Sequence, residues 1–266
     1  MKRLYAIDLD GTLLTNNKSL PPEAKICFSN IQSSGDIVLF MTGRSYAQTE
    51  DYIHALKLDG IVICNDGRYI LQSNGMIIDK CASLDYWDAQ TVLNVLNGIY
   101  YVLAFRDDTE YMISSNLLSK VIFTYKRLIQ KKKIELVNSS RKSSIVQDID
   151  KFIVCSMNRN GLFDYLNITL GKQYNIYNLQ DEGKIQISGR EANKLVALRK
   201  VQQMLNVADE CVYVFGNDGN DTQVLGYYQN SFAVSNACDS IKNIAKEIIG
   251  SNENGGVIKK LNELRG

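Results

Sequence analysis

The sequence has no Cys-x-x-Cys pair, no excess of charge of either sign, and no apolar run long enough to span a bilayer. Its six cysteines are widely scattered, which argues against a zinc site and is typical of reduced, mostly buried thiols. Lysine plus arginine number 30 against 29 aspartate plus glutamate, so charge gives no reason to expect nucleic acid or an anionic membrane as a partner. The N-terminal residues lack signal-peptide character. We therefore expect a cytoplasmic protein that acts without nucleic acid or membrane.

The sequence does contain enough apolar material for a large core, and it arranges that material in alternating elements. Hydrophobic residues make up 45% of the 266 residues, a length that allows one large domain or two smaller ones. Continuous apolar runs predict short buried strands at Leu4–Ile7, Ile37–Met41 and Ile61–Cys64, with helices between them. Alternation of this kind is typical of an α/β protein with a doubly wound parallel sheet.

The alternation is interrupted in the middle of the chain. There, helices predicted at 87–96, 117–129 and 161–170 mix with strands that lack the buried parallel pattern. The first pattern then resumes, with a strand at 211–215 and a helix at 240–249. We therefore expect a discontinuous core of residues 1–80 and 184–266, and an inserted α/β domain of residues 81–183.

Two aspartates directly follow the opening strand. Asp8 and Asp10 are two residues apart, so in an extended chain their side chains point the same way, before Gly11 lets the backbone turn. Close carboxylates repel, and such a pair invites a divalent cation or a shared proton. One can attack an electrophile while the other handles protons. An Asp-x-Asp pair alone favours a simple polar turn, so other clusters must decide.

Further polar clusters also stand at strand ends or helix starts. Thr42 and Gly43 follow the second strand, Asn65 follows the third, Lys194 opens a later helix, and residues 216–221 form an acidic turn. Chemistry in a doubly wound sheet gathers at the carboxyl ends of the strands. These residue types are those that phosphoryl transfer from a monoester needs, because they supply a nucleophile, an acid, a cation and hydrogen-bond donors.

Together the motifs resemble the haloacid-dehalogenase-like hydrolases, and among them the Cof-type phosphatases. The resemblance runs along nearly the whole chain, and four motifs carry it: Asp8-Leu9-Asp10-Gly11-Thr12-Leu13-Leu14, Thr42-Gly43-Arg44, Asn193-Lys194 with Ala197-Leu198, and residues 216–221. It implies a Rossmann-like core with an inserted α/β cap domain. It further implies a Mg²⁺-dependent phosphatase for a small phosphorylated metabolite such as a sugar phosphate.

The resemblance also implies a role for each matching residue. Asp8 would be the nucleophile that forms an aspartyl-phosphate, and Asp10 the general acid that later activates water as a base. Lys194 would bridge the Asp8 carboxylate and the phosphoryl oxygens. The phosphate and substrate contacts would come from the Thr42 hydroxyl, the Gly43 N–H, Arg44, Asn65 and Asn220. For Arg44 a surface role, and for Asn65 a turn-forming role, are equally good interpretations.

The implied Mg²⁺ ligands are Asp8, the main-chain carbonyl of Asp10, and the acidic turn with Asp221. In this turn the sequence departs from the family, because Asn217 stands where an aspartate is usual. The Asn217 carbonyl can still bind Mg²⁺ but brings no charge, and Asp218 offers a carboxylate one residue further on. The spacing to Asp221 favours Asn217 as the ligand.

Two other functions remain compatible with these motifs. One is a phosphomutase or phosphotransferase, in which an alcohol rather than water receives the phosphoryl group. The other is a metabolite-binding regulator whose asparagine at position 217 has cost it catalysis. The expected oligomeric state is a monomer or a weak homodimer.

Overall fold

The computed structural model describes residues 2–97, 99, 101–107, 109–113, 134–137, 147–180 and 183–265. The chain divides into two compact units, one formed by Met1–Cys81 with Glu191–Gly266 and the other by Ala82–Arg190. Residues 184–190, expected in the core, belong to the second unit. The reason is that the strand Lys184–Gly189 pairs antiparallel with Tyr174–Leu179 and Lys151–Cys155.

A sheet of eight described strands forms the centre of the first unit. The opening strand Leu4–Ile7 lies inside this sheet and pairs in parallel with Val212–Gly216 on one side and Ile37–Met41 on the other. All four of its residues are buried, which explains why the sequence shows an uninterrupted apolar run here. Five more strands complete the sheet: Ile61–Cys64, Asn230–Val234 and Glu247–Ile249 in parallel, and the antiparallel Tyr69–Gln72 and Ile77–Lys80.

The helices of the first unit bury apolar faces in the core of this sheet. In Ala24–Ser33 the buried side chains are Ala24, Cys27, Phe28 and Ile31, a spacing that puts them on one face. Burying a side chain the size of Phe28 contributes roughly 2–3 kcal/mol. The other described helices of this unit are Tyr46–Leu56, Lys194–Met204, Thr222–Tyr227, Asp239–Lys242 and Gly256–Glu263.

The helix expected at 240–249 is wrong beyond its first residues. Helical structure covers Asp239–Lys242, and Glu247–Ile249 is a strand that pairs in parallel with Asn230–Val234. The two isoleucines are β-branched and suit a strand, and the open sheet edge offers backbone hydrogen bonds that a further helical turn would compete with. Pairing with a strand distant in sequence decided the outcome.

The second unit contains a sheet of six described strands with two helices in the described part. The helices are Tyr86–Val95 and Arg159–Leu170, and their apolar side chains share one buried cluster with the sheet. The strands Thr109–Ile113 and Ile134–Val137 were not expected. The helix expected at 117–129 lies outside the described residues. In the described part of the chain, no helix has both the length and the hydrophobicity to cross a membrane.

The two units thus have the expected fold class. The first is a doubly wound α/β domain built on a largely parallel sheet, and the second is an α/β unit inserted between two parts of the first.

Candidate active site

Four neighbouring parallel strands of the first unit end at the same edge of the sheet. The order Val212–Gly216, Leu4–Ile7, Ile37–Met41, Ile61–Cys64 is continuous within the sheet. The next residues along the chain are Asn217, Asp8, Thr42 and Asn65. Residues far apart in the sequence therefore come together because their strands are adjacent.

A buried lysine joins two carboxylates at this edge. Lys194 Nζ donates to Asp8 Oδ1 at 2.8 Å and to Asp221 Oδ1 at 2.7 Å. The side chains of Lys194 and Asp221 are 0% exposed and that of Asp8 is 7% exposed. The Lys194 helix is capped by Asn193, whose Oδ1 accepts from the Leu195 N–H at 2.8 Å. A cation in a first helical turn opposes the helix dipole, so the two carboxylates hold Lys194 in place.

Burial dominates the electrostatics of this cluster. It raises the pKa of Asp8 to about 8, although the charge of Lys194 opposes the shift. Burial alone would lower the pKa of Lys194, but the charges of Asp221, Asp8 and Asp66 outweigh it and raise that pKa above its ordinary value. Lys194 therefore stays charged, and the carboxylates around it outnumber it.

The acidic turn is folded tightly around Asp221. A Cβ on Gly216 would lie 2.5 Å from Asp221 Cγ, so only glycine fits there. Asp221 Oδ2 accepts from the N–H groups of Asn217 at 2.9 Å and Asp218 at 3.2 Å. Because its other oxygen binds Lys194, Asp221 ties the turn to the helix that carries the lysine.

The two candidate ligands of the turn have different surroundings. Asn217 Oδ1 accepts a hydrogen bond from the Thr12 hydroxyl at 2.9 Å, which directs the amide oxygen towards the loop after the opening strand. Asp218 Oδ1 instead accepts from the Gly219 N–H at 2.7 Å and caps the short turn Gly219–Asp221. The amide oxygen of Asn217 thus faces the loop of Asp8 and Asp10, while the Asp218 carboxylate binds its own turn.

The chemistry of these donors suits a magnesium ion. The candidate ligands are all carboxylate, amide or main-chain oxygens, which hard divalent cations prefer. An additional cation would also balance the buried carboxylates that outnumber Lys194. The described residues contain no ready-made group of three or more His, Cys, Asp or Glu side chains for a metal ion. A site here therefore needs the amide and main-chain oxygens as well.

Asp10 has a different environment, in which two cations clamp it. Arg44 Nε donates to Asp10 Oδ2 at 2.6 Å and Arg44 Nη2 donates to Oδ1 at 2.7 Å, while Lys18 Nζ lies 2.7 Å from Oδ1. Burial by itself would raise the pKa of Asp10, but the hydrogen bonds from Arg44 and Lys18 outweigh it and lower the pKa to about 2. The sequence analysis left open whether Arg44 contacts phosphate or lies at the surface. In the structure its side chain binds the Asp10 carboxylate.

The second and third strand ends are joined through backbone hydrogen bonds. The Asn65 N–H donates to Arg44 O at 2.8 Å and the Asp66 N–H donates to Thr42 O at 3.0 Å. The Thr42 hydroxyl oxygen accepts from the Arg44 N–H at 3.1 Å. Gly43 follows Thr42 in this loop. These hydrogen bonds therefore join the loop of residues 42–44 to the turn Asn65–Gly67, so each fixes the position of the other.

Two side chains of the site were missed by the sequence analysis. No sequence pattern identifies Lys18 as a site residue, because its contact with Asp10 depends on the path of the loop that contains it. Asp66 was not among the predicted site residues, yet it is 1% exposed and accepts from Asn220 Nδ2 at 2.7 Å. An acidic residue so close to the end of a buried parallel strand, as with Asp8, is the signal that could have identified it.

Known proteins resemble this chain over nearly its whole length. Residues 5–261 match the family model of the haloacid dehalogenase-like hydrolases. The chain is 22% identical to the 5-amino-6-(5-phospho-D-ribitylamino)uracil phosphatase of Bacillus subtilis, over 98% of this chain and 96% of that protein. It is 24% identical to the pyridoxal phosphate phosphatase of Escherichia coli, over 94% of each chain. A solved haloacid dehalogenase-like hydrolase from B. subtilis superposes with a TM-score of 0.83 at 22% identity, over 98% of this chain and 99% of that chain. Since the family model covers nearly the whole sequence, the chain belongs to the haloacid dehalogenase-like hydrolases.

Proposed function

We propose that this phosphatase hydrolyses the phosphate monoester of a small metabolite through a covalent intermediate on Asp8. The observation that most supports this is the buried contact of Lys194 with Asp8 and Asp221 at the carboxyl edge of the sheet. A nucleophilic carboxylate must be held in one orientation, and an ammonium group beside it attracts the phosphoryl oxygens.

In the first step an Asp8 carboxylate oxygen attacks phosphorus, and the bond between phosphorus and the ester oxygen breaks. The leaving oxygen takes a proton from Asp10, so the products are an alcohol and an aspartyl-phosphate. Lys194 balances charge on the phosphoryl oxygens, and the Thr42 hydroxyl and Gly43 N–H orient them.

Asp10 must leave its clamp before it can serve as this acid. The phosphoryl group of the substrate would compete for Arg44, because guanidinium groups bind phosphate oxygens in the same bidentate manner as carboxylates. Once Arg44 contacts phosphate, Asp10 would lose the hydrogen bonds that keep its pKa low, and the negative charge of the phosphoryl group would raise that pKa further, so that Asp10 can carry the proton it donates. Arg44 would thus contact Asp10 in the resting site and phosphate in the occupied one.

In the second step water attacks the phosphorus of the aspartyl-phosphate while Asp10 accepts the proton of that water. Inorganic phosphate leaves and Asp8 is regenerated. Asn220 and Asn65 would contact the phosphoryl group or the substrate through their amides. The inserted unit, Ala82–Arg190, would act as the cap that selects the leaving group.

The residues that would hold Mg²⁺ are Asp8, the main-chain carbonyl of Asp10, Asn217 or Asp218, and Asp221. Bound there, the ion would supply positive charge against the phosphoryl oxygens. The all-oxygen donor set and the excess of buried carboxylates over Lys194 support this assignment.

A screen of phosphorylated metabolites tests the proposal. The two named relatives act on different phosphate esters, so the panel should include sugar phosphates, pyridoxal phosphate and phosphorylated ribityl compounds. We expect Mg²⁺-dependent release of inorganic phosphate that EDTA abolishes. Transfer of the phosphoryl group to an added sugar without free phosphate would indicate a phosphomutase or phosphotransferase. Ligand binding without turnover of any ester would contradict the proposal and favour a regulator.

A further inference from the structure

The turn Asn65–Gly67 has an unusual backbone for a buried segment of the site. Its three residues have positive φ angles of 47°, 57° and 96° in succession. Among residues other than glycine, asparagine and aspartate adopt this left-handed conformation most readily, but usually as single residues. A buried run of three left-handed residues depends on its surroundings, and unusual backbone of this kind is concentrated at functional sites.

Two other parts of the site hold the turn. Its N–H groups donate to the carbonyl oxygens of Thr42 and Arg44 at 3.0 and 2.8 Å. A Cβ on Gly67 would lie 2.3 Å from the carbonyl oxygen of Asn193, so the turn packs directly against the start of the helix that carries Lys194. The turn therefore has a fixed position relative to Lys194 and to the loop of residues 42–44.

The Asp66 side chain connects this fixed turn to the acidic turn. Its Oδ1 accepts from Asn220 Nδ2 at 2.7 Å, and a Cβ on Gly43 would lie 2.9 Å from the same oxygen. An ionised carboxylate can only accept hydrogen bonds, whereas an amide has one donating and one accepting end. Asn220 must therefore point its amino group, and not its carbonyl oxygen, towards Asp66. Without Asp66 the amide could adopt either orientation.

We propose that Asp66 is a positioning residue for phosphoryl transfer, which fixes both the place and the donor–acceptor orientation of the Asn220 amide. This inference rests on the proposed function, in which Asn220 contacts the phosphoryl group. With its amide held before substrate arrives, Asn220 needs no reorganisation when charge develops on the phosphoryl oxygens. In this role Asp66 acts through the Asn220 amide, and the neutral variant Asp66→Asn separates it from the effect of the Asp66 charge on Lys194.

A double-mutant cycle with Asp66→Gly and Asn220→Ala tests this in the full-length protein. Glycine suits the left-handed backbone, so Asp66→Gly removes the carboxylate without adding strain. With p-nitrophenyl phosphate and Mg²⁺, we expect each single variant to lower kcat about 10- to 100-fold, the range of a lost positioning contact. If Asp66 acts through Asn220, the double variant should be no slower than Asn220→Ala alone.

Two further variants separate positioning from folding. Asp66→Asn tolerates the same backbone and keeps an acceptor oxygen, so we expect it to recover most of the activity that Asp66→Gly loses. Asp59→Asn makes the same charge change at an exposed position of the same unit and should leave kcat unchanged. Urea unfolding of every variant identifies any loss that reflects instability.

Additive losses in the double variant would overturn the inference, because Asp66 would then act independently of Asn220. A silent Asp66→Gly would overturn it as well. Failure of the proposed function looks different, since the wild-type protein would then release no phosphate from any ester.

Discussion

Asp8 and Asp10 follow the same strand and are separated by one residue, yet their surroundings are opposite. The Asp8 side chain is 7% exposed and shares one lysine with another buried carboxylate, and burial raises its pKa to about 8. The Asp10 side chain is 27% exposed, and its hydrogen bonds with two cations lower its pKa to about 2. The pKa values of two carboxyl groups in one motif are thus shifted in opposite directions by the side chains around them, which come from distant parts of the chain.

The difference runs against the roles proposed for these residues. A nucleophile should be ionised and a general acid protonated, whereas here burial raises the pKa of Asp8 and two cations lower the pKa of Asp10. Two binding events would reverse this order. A divalent cation beside Asp8 would lower its pKa, and a phosphoryl group that takes Arg44 would release Asp10.

The largest expected effect comes from Asp8→Asn. An amide is a poor nucleophile at phosphorus, so phosphatase activity should fall by about 10³-fold or more. The free energy of unfolding should stay within about 1 kcal/mol of wild type, because asparagine has the size of aspartate and its amide oxygen can still accept from Lys194. Phosphate release and urea unfolding measure the two effects. Retention of more than a few per cent of the activity would falsify the covalent mechanism.

The next largest effect should come from Lys194→Met, which removes the cation and keeps the length of the side chain. Asp8 and Asp221 are then left as buried carboxylates without their partner, which typically costs about 3–5 kcal/mol. Activity should fall roughly 10²- to 10³-fold, as for other lost electrostatic groups. The matched control is Lys200→Met, whose partner Asp79 is at the surface, so stability should change by about 1 kcal/mol or less.

An unfolding free energy for Lys194→Met equal to that of Lys200→Met would contradict the description of the buried cluster. It would mean that Asp8 and Asp221 bind a proton or a metal ion readily enough to replace the lysine.

The sequence predicts the inner part of the site better than the outer part. The parallel strands are visible as apolar runs because they are buried on both faces. Their ends, together with the start of the helix Lys194–Met204, bring Asp8, Lys194 and Asp221 within hydrogen-bonding distance. The clamp on Asp10 was not foreseen, since Lys18 lies in a loop and Arg44 could equally have faced solvent. Asp66 was missed for another reason, because Asp-Gly is a common turn pair and by itself gives no sign of a functional role. The strand Glu247–Ile249 depends on pairing across the sheet, which local patterns do not reveal.

The comparison of Asp8 with Asp10 can be sharpened by testing whether Asn217 or Asp218 binds the Mg²⁺ ion expected beside Asp8. The Asn217 amide oxygen faces the Asp8 loop, whereas the Asp218 carboxylate caps its own turn. We expect Asn217→Asp to lower the Mg²⁺ concentration for half-maximal activity by about an order of magnitude, because it adds a charged oxygen ligand. Asp218→Asn should shift it little and should cost about 1 kcal/mol or less of stability, because asparagine is also a good cap. A silent Asn217→Asp together with a strongly weakened Asp218→Asn would show that Asp218 is the ligand.

The clamp on Asp10 should appear in the pH dependence of stability. The pKa of Asp10 in the folded protein, about 2, lies below its ordinary value of 3.8, so the clamp stabilises the fold above that ordinary value and loses this effect as pH falls towards 2. Arg44→Gln should lower the free energy of unfolding by about 1–2 kcal/mol at pH 7. This difference between the variant and the wild type should disappear as pH falls from about 5 to about 2. Urea unfolding of both proteins across this range measures it. A gap that is constant with pH would show that Arg44 stabilises the fold by packing on Tyr52 rather than through Asp10.

The smallest effect should come from Lys18→Gln, although Lys18 contacts the same carboxylate. Its side chain is 54% exposed, against 20% for Arg44, and it makes a single contact with Asp10 rather than a bidentate one. Solvent and salt screen such a pair, so the loss of stability should be about 0–1 kcal/mol and should shrink further in high salt. Activity should change by less than about threefold, because Arg44 still holds Asp10 in the resting site and would still leave Asp10 to bind phosphate.

Unfolding and phosphate release at low and high ionic strength measure both effects. Should Lys18→Gln cost as much as Arg44→Gln at both salt concentrations, Asp10 would depend on the two cations jointly, and binding of phosphate to Arg44 would not be sufficient to free it.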